Sequence, residues 1–427
     1  MSKKVNFVYE WIGPHGPISN NRVPTLTDFI QSGIGEVLNG HNRHSMGPHF
    51  YQKIDNRRLF SSCSFPEEKF LYEVNFGPAH YYRPELAIFN PQDGILSASM
   101  CHPAVLECIR HKHAYICFTL LHEGFMQDRF LMAMIQYFKS QNVPLSQVIY
   151  VTNCGNPDEV YADYCERHGQ PLEINVEYCP TFRIDKADVF EAMNTRRYTP
   201  GSRKKTFLCF NRRFSDHRLM FYMLCKKKNL LDHFYMSMKE CHPESLSPFD
   251  VTAKHLVQRM PEFGLTDEDV ADAASILPLI LDTTDFSQYP MEKTPATVAS
   301  FYDNSLINIV NETYFFSNII HITEKTYKPI AYMQPFIMVA ARGSLKHIKD
   351  MGFKTFDKYW DESYDLEKDN SKRLTMIMDL VESISKWSEE KKIQFSHDVV
   401  DILEYNQNHL KTMPNVEIDK FIEKYGV

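Results

Sequence analysis

Residues 305–330 read SLINIVNETYFFSNIIHITEKTYKPI. The run from Ser305 to Asn311 is rich in Leu, Ile and Val, the pattern of a strand buried on both faces, and its end delivers Asn311 and Glu312 into a loop. After that loop Thr323 is a good helix N-cap, with Glu324, Lys325 and Thr326 filling the first turn. PFIMVA, residues 335–340, then reads as a second strand. Strand, helix and strand in succession predict neighbouring parallel strands joined by a crossover helix.

The alternation extends in both directions. Upstream, TFLCF (206–210) reads as a strand and NRRFSDHRLMFYMLCKKKNLL (211–231) as a loop entering a helix. Residues 250–300 read as a helical insertion. Downstream, a Gly-Ser turn leads into SLKHIKDMGF, and charged amphipathic helices such as LTMIMDLVESISKW run from about Ser371 to Leu410. In the first half, VNFVYEW, ELAIFN, AYICFTLL and QVIYVTN are strand candidates. A helix over DRFLMAMIQYFKSQNVPLS separates the last two and stops near Asn142 and Pro144. The basic, Pro- and Gly-containing NTRRYTPGSRKK (194–205) reads as a linker. The expectation is an α/β protein with two Rossmann-like domains facing a cleft and C-terminal helices packing across. The expected divisions are residues 1–198, 199–385 and 386–427.

Composition agrees with a multidomain globular chain: 427 residues exceed one ordinary core, and 43% hydrophobic with 24% charged residues argues against long disorder. A net charge of −7 argues against wrapping nucleic acid along the whole surface. MSKKVNFVYEWIG is too brief and polar for a signal peptide, and no run of eighteen apolar residues suggests a membrane span. Ten cysteines without a C-x-x-C pair, several in apolar runs, suit buried thiols in a reducing cytosol. A cytoplasmic location is expected.

In parallel sheets ligands bind beyond the carboxyl ends of the strands, so chemistry is sought there. Thr323, Glu324 and Lys325 open a helix whose free N–H groups attract anions. Glu324 suits the helix dipole whatever the function, but Lys325 opposes it, a conflict that a bound phosphate would remove. Asn311 and Glu312 end one strand; the carboxylate suits either a sugar hydroxyl or a capping role in the loop. Asn211, Arg212, Arg213 and Arg218 follow another strand, either as a guanidinium cluster for an oxyanion or as an exposed basic loop.

Taken together, FLCFNRRFSDHRLMFYML, SLINIVNETYF and ITEKTYKPI resemble the donor-binding half of GT-B-fold glycosyltransferases, particularly the fucosyltransferase-like group. The chain also looks similar to uncharacterised glycosyltransferases of phages and large DNA viruses. The resemblance covers roughly residues 205–355. It implies a nucleotide diphosphate sugar donor, no further cofactor and no metal. Arg218 would lie near the arginine that holds the diphosphate, and Glu312 would match the strand-end acid. Glu324 and Lys325 would match the pair that contacts donor sugar or ribose and phosphate. The acceptor would be a glycan or another hydroxyl compound, with a modified DNA base as a variant that the overall acidity disfavours. LLHEGF ends a strand in the first half, and Glu123 is the expected base, with His122 second; a hydrogen-bonded strand-end turn explains the pair equally simply. The rival reading is a non-catalytic nucleotide-binding module with a protein partner.

Other motifs are weaker. His41, His44 and His49 lack the companions of a zinc site. Asp267 and Asp269 resemble a metal-binding pair, but Thr266 with Asp269 predicts a capping box. Gly33 and Gly35 lack phosphate-loop spacing, and neither a P-loop nor a nucleophile-elbow motif is present.

Overall fold

The computed structural model describes residues 103–112, 114–120, 124–125, 128–180, 190–211, 215–238, 260–276, 279, 281 and 296–425, with short strands before residue 97. The chain forms two compact units, residues 1–184 with 414–427 and residues 185–413.

The first unit holds β1 (Phe7–Tyr9), β4 (Arg57–Leu59), β5 (Phe70–Asn75), β8 (Ala114–Leu120), β9 (Val148–Thr152) and β10 (Asn175–Tyr178), all parallel, in the order β10-β9-β8-β5-β1-β4. Two small antiparallel ribbons accompany it, β2 (Ile12–Gly13) with β3 (Gly16–Pro17) and β6 (Phe89–Asn90) with β7 (Ile95–Leu96). Of ELAIFN, Phe89–Asn90 form a strand of a ribbon outside the main sheet, and residues 85–88 lie outside the described residues. Helices α1 (Pro103–Arg110), α2 (Asp128–Ser140) and α3 (Pro157–His168) alternate with these strands. VIYVT of β9 is buried at every position, as a strand covered on both faces requires. The helix stop expected near Asn142 is a left-handed turn there, φ 53°, which asparagine tolerates well.

The second unit runs α4 (Phe190–Thr195), β11 (Lys205–Asn211), α5 (Asp216–Lys227), β12 (Phe234–Met238), α6 (Asp267–Ile276), α7 (Ala296–Asp303), β13 (Ser305–Asn311), α8 (Glu324–Ala331), β14 (Phe336–Val339) and α9 (Ser344–Asp350). Then follow α10 (Asn370–Ser385), α11 (Glu389–Asp398) and α12 (Val400–Thr412). Its sheet is parallel, in the order β12-β11-β13-β14, so the strand order reverses between β11 and β13. Such a reversal opens a crevice at the carboxyl ends, because the connections leave the two strands on opposite faces. On one face Phe207 of β11 and Phe221 of α5 both pack against Phe234. On the other face Leu208 packs with Val298 and Tyr302 of α7, and Tyr302 stacks on Tyr332 at the end of α8.

Residues 194–205, read as a linker, are fixed within this unit: Arg196 pairs with Asp303 and lies over the Tyr332 ring. Thr266 and Asp269 form the expected capping box, with reciprocal bonds of 3.2 Å and 2.7 Å from main-chain N–H groups, which accounts for that acidic cluster. The helical tail expected over 386–427 divides: α11 and α12 belong to the second unit, while α13 (Val416–Tyr425) packs in the first. There Ile418, Phe421, Ile422 and Tyr425 join Leu71, Cys117, Ile149, Val151 and Cys179 in one core.

Among the described residues no helix is long and apolar enough to cross a membrane. The described cysteines other than Cys108 are buried.

Candidate functional site

Asn211 and Asn311 end the two strands that flank the crevice, and they meet: Asn311 Nδ2 donates to Asn211 Oδ1 at 3.1 Å. Both amides also reach the buried Cys209 Sγ, at 3.4 Å and 3.3 Å. Burial pushes that thiol up to about 12, against the opposing effects of Asn211 and the Arg218 charge, so it stays protonated. Asn311 Oδ1 is buried without a hydrogen-bond partner among the described residues.

Two helices begin beside this pair. α5 follows Ser215, an extended N-cap residue whose side chain makes no cap bond to the helix. Its hydroxyl instead lies 3.3 Å from His217 Nδ1, while His217 Nε2 lies 2.9 Å from the Glu312 carbonyl. A carbonyl only accepts, so Nε2 carries the proton and Nδ1 accepts from Ser215. The ring is 3% exposed and stacks on Phe315 at 5.7 Å. Arg218, in the same turn, donates through Nη2 to the carbonyls of Asn311 at 3.1 Å and Glu312 at 3.2 Å.

α8 begins as the sequence predicts: Thr323 is extended, and its Oγ1 accepts from Lys325 N–H at 3.3 Å. The Glu312 carboxylate lies beneath this turn. It accepts from Thr323 N–H at 3.0 Å, Thr323 Oγ1–H at 2.7 Å and Thr326 Oγ1–H at 2.6 Å. Lys325 Nζ lies 3.1 Å from Thr323 Oγ1 and 3.3 Å from Glu324 Oε1. The Lys325 and Glu324 side chains keep 26% and 27% of their surface exposed. Burial works to raise the Glu324 carboxyl, but the Lys325 and Lys328 charges prevail and bring it down to about 2. It is therefore ionised at neutral pH, beside a cation at the mouth of a helix.

A third terminus, that of α9, is already occupied by the protein. The Asp365 carboxylate accepts from Leu345 N–H and Lys346 N–H, each at 2.9 Å, and its carbonyl accepts from Gly343 N–H at 2.8 Å. Burial raises this carboxyl, while the two N–H groups oppose the rise. Arg373, 1% exposed, lies over the Phe315 ring and donates to the carbonyls of Phe315 and Glu367.

The structure thus brings Asn211, Arg218, Asn311, Glu312, Thr323, Glu324 and Lys325 to one sheet edge. Arg218 and Glu312 face inward onto protein groups there, where the sequence suggested ligand contacts. Arg212, Arg213, His122 and Glu123 lie outside the described residues, as do the histidines of 41–49 and the glycines of 33–35. The sequence reading passed over His217, Asp365 and Arg373, and took Thr326 only as part of the first helical turn. Only Thr326, one turn after an N-cap threonine, carried a local signal.

His217 yields a pH prediction. Burial first, then the Arg218 charge, lowers its pKa from 6.5 to about 3, while the Glu312 carbonyl opposes the drop. Below the unfolded value the unfolded chain binds a proton that the native state refuses. The histidine's share of stability is complete above about pH 6.5 and falls by up to about 1.4 kcal/mol per pH unit on acidification toward pH 3. Urea unfolding across that window should show a shallower slope for His217→Gln, which retains a donor for the carbonyl. Parallel slopes would refute the assignment.

No protein-family model and no curated protein matches this sequence. Among solved structures, the chain is similar to an α,α-trehalose-phosphate synthase (UDP-forming) from Burkholderia vietnamiensis. The two are 11% identical over 99% of this chain and 97% of that one, with a TM-score of 0.39.

Proposed function

We propose that the protein is a GT-B-type glycosyltransferase that moves a sugar from a nucleoside diphosphate sugar to a hydroxyl acceptor, with the donor at the crevice between β11 and β13. One observation carries the reading. Two helix N-terminal turns and a partly buried lysine converge at a strand-order reversal, joined to each other through Glu312. Ser215 makes no side-chain cap bond to the first turn of α5, the positive ends of both helix dipoles favour phosphate oxygens, and the Lys325 ammonium adds to that preference.

In the proposed reaction the acceptor oxygen bonds to the anomeric carbon as the bond from that carbon to the diphosphate breaks. The bonding pair leaves with the diphosphate. Lys325 and the first turns of α5 and α8 stabilise the charge that develops there. Glu324, ionised beside Lys325, accepts from sugar or ribose hydroxyls. Asn211, Asn311 and Thr323 shape the floor, and Arg212 and Arg213 follow β11 in sequence. The acceptor proton goes to Glu123, or to His122 in its place. The acceptor is a glycan or a small hydroxyl compound, with a modified DNA base as the less favoured variant.

The test is thermal stability against a panel of nucleoside diphosphates and their sugars. Ligand at a hundredfold excess over its Kd adds about 2.7 kcal/mol. One nucleoside diphosphate should stabilise the wild type, and Lys325→Ala should lose that response while its unliganded stability shifts by only about 0.5 kcal/mol. Glu123→Gln should bind the same nucleotide yet transfer no sugar. If no nucleotide shifts the wild type, the α8 turn is a helix cap and the reading fails. If nucleotide binds but Glu123→Gln and His122→Ala leave transfer unchanged, the base lies elsewhere.

A further inference from the structure

Every polar group of Glu312 is committed within the protein. Its N–H donates to the Val339 carbonyl of β14 at 3.1 Å. Its carbonyl accepts from His217 and Arg218 in the first turn of α5, at 2.9 Å and 3.2 Å. Its carboxylate accepts from Thr323 twice and from Thr326, in and just before the first turn of α8. The residue is 1% exposed. The side chain, N–H and carbonyl of one residue therefore tie together two helices on opposite faces of the sheet and its edge strand β14.

The geometry points to Glu312 as a positioning residue that fixes the spacing between the α5 and α8 N-terminal turns, and not as a group that touches the ligand. A ligand hydroxyl would have to displace a threonine donor from a carboxylate with almost no exposed surface, leaving that threonine unpaired in the interior. The backbone carbonyl cannot shift alone either. His217 is held from the other side by Ser215 and Phe315, so displacement of the Glu312 peptide disturbs α5 together with α8. Glu312 is thus the mechanical link through which the two turns keep one separation.

A consequence for ligand choice rests on the donor-site reading. A diphosphate spans two anion-binding turns and senses their spacing, whereas a monophosphate engages one turn and senses it little. A carboxylate that contacted ribose would affect both nucleotides equally.

Two measurements on full-length wild type, Glu312→Gln and Thr326→Val test the assignment. Thr326→Val keeps the shape and removes one of the carboxylate's donors. Hydrogen exchange needs no ligand. In Glu312→Gln, amides of residues 216–219 and of 323–327 should both exchange roughly tenfold or more faster, with strands β8 and β9 unchanged, and Thr326→Val should move both sets in the same direction. Acceleration confined to 323–327 would overturn the link to α5. Acceleration everywhere would show general destabilisation and overturn it too. The second measurement compares UMP with UDP and GMP with GDP. The diphosphate that binds wild type should weaken roughly tenfold or more in Glu312→Gln and its monophosphate by no more than about threefold. Equal losses would make Glu312 a direct contact or a scaffold. If wild type binds none of the four, the donor-site reading fails, and the exchange data alone decide the positioning role.

Discussion

Deleting residues 414–427 is expected to prevent the N-terminal unit from folding while the C-terminal unit retains its own thermal transition. Helix α13 supplies Ile418, Phe421, Ile422 and Tyr425 to the core over β5, β8 and β9. Burying an apolar side chain of that size contributes roughly 1.5–3 kcal/mol, so the four together reach roughly 6–12 kcal/mol as an upper estimate. The whole margin of a domain is about 5–15 kcal/mol. The helix is also held in register: Tyr425 packs edge-on against Tyr115 at 5.4 Å, and its hydroxyl and Lys424 Nζ both donate to Glu177 Oε1, at 2.5 Å and 2.6 Å. Phe421→Ala, a milder change, should cost about 3–5 kcal/mol of the first unit's stability. Calorimetry with far-UV spectroscopy decides the matter. Two unchanged transitions in the truncated protein would show that α13 merely rests on a core complete without it.

Arg373→Leu is expected to cost about 3–5 kcal/mol of the C-terminal unit's stability, an unusual size for the loss of a residue with no catalytic part. Its guanidinium is buried against the Phe315 ring, with Cζ 4.4 Å from the centroid. It donates to the Glu367 carbonyl at 2.9 Å, the Phe315 carbonyl at 2.6 Å and Asn370 Oδ1 at 2.6 Å. Burial brings its pKa down to about 10, against the pull of Asp365, so it remains charged at neutral pH. Leucine fills part of the space but leaves those oxygens unpaired, and each such loss costs about 1–3 kcal/mol. Arg373→Lys keeps the charge without the planar fork and should still lose about 2 kcal/mol. Because Phe315 also stacks on His217, the leucine variant should weaken nucleotide response as well as urea resistance. Unfolding curves that match wild type would refute the account.

What the sequence revealed followed the range of the interactions involved. Ser305–Asn311 and Val148–Thr152 were legible because a strand covered on both faces is apolar nearly throughout. Phe234–Met238 and Asn175–Tyr178 went unread because each edge strand is half covered; in β12 only Phe234, Met236 and Met238 are buried, a period-two signal spread over five residues. The Thr266–Asp269 box and the Thr323 cap were legible because both close within three residues. The uses of Arg218 and Glu312 were not. Arg218 bonds a carbonyl 93 residues away, and Glu312 faces threonines 11 and 14 residues on, so a motif located them without disclosing which way they point. Helix α13 shows its apolar stripe in sequence, but nothing local names the sheet it covers.

The division of the first unit between the two ends of the chain sets an order of events during synthesis. Strands β5, β8 and β9 leave the ribosome early, yet the helix that covers them emerges only after residues 185–413. At about 5–20 residues per second, the sheet waits on the order of ten to fifty seconds with Leu71, Ile149 and Val151 lacking their cover. The second unit, continuous in sequence, has all its parts before that wait ends. The domain made first is therefore the one finished last, and its half-covered sheet is a surface for chaperones to hold in the meantime.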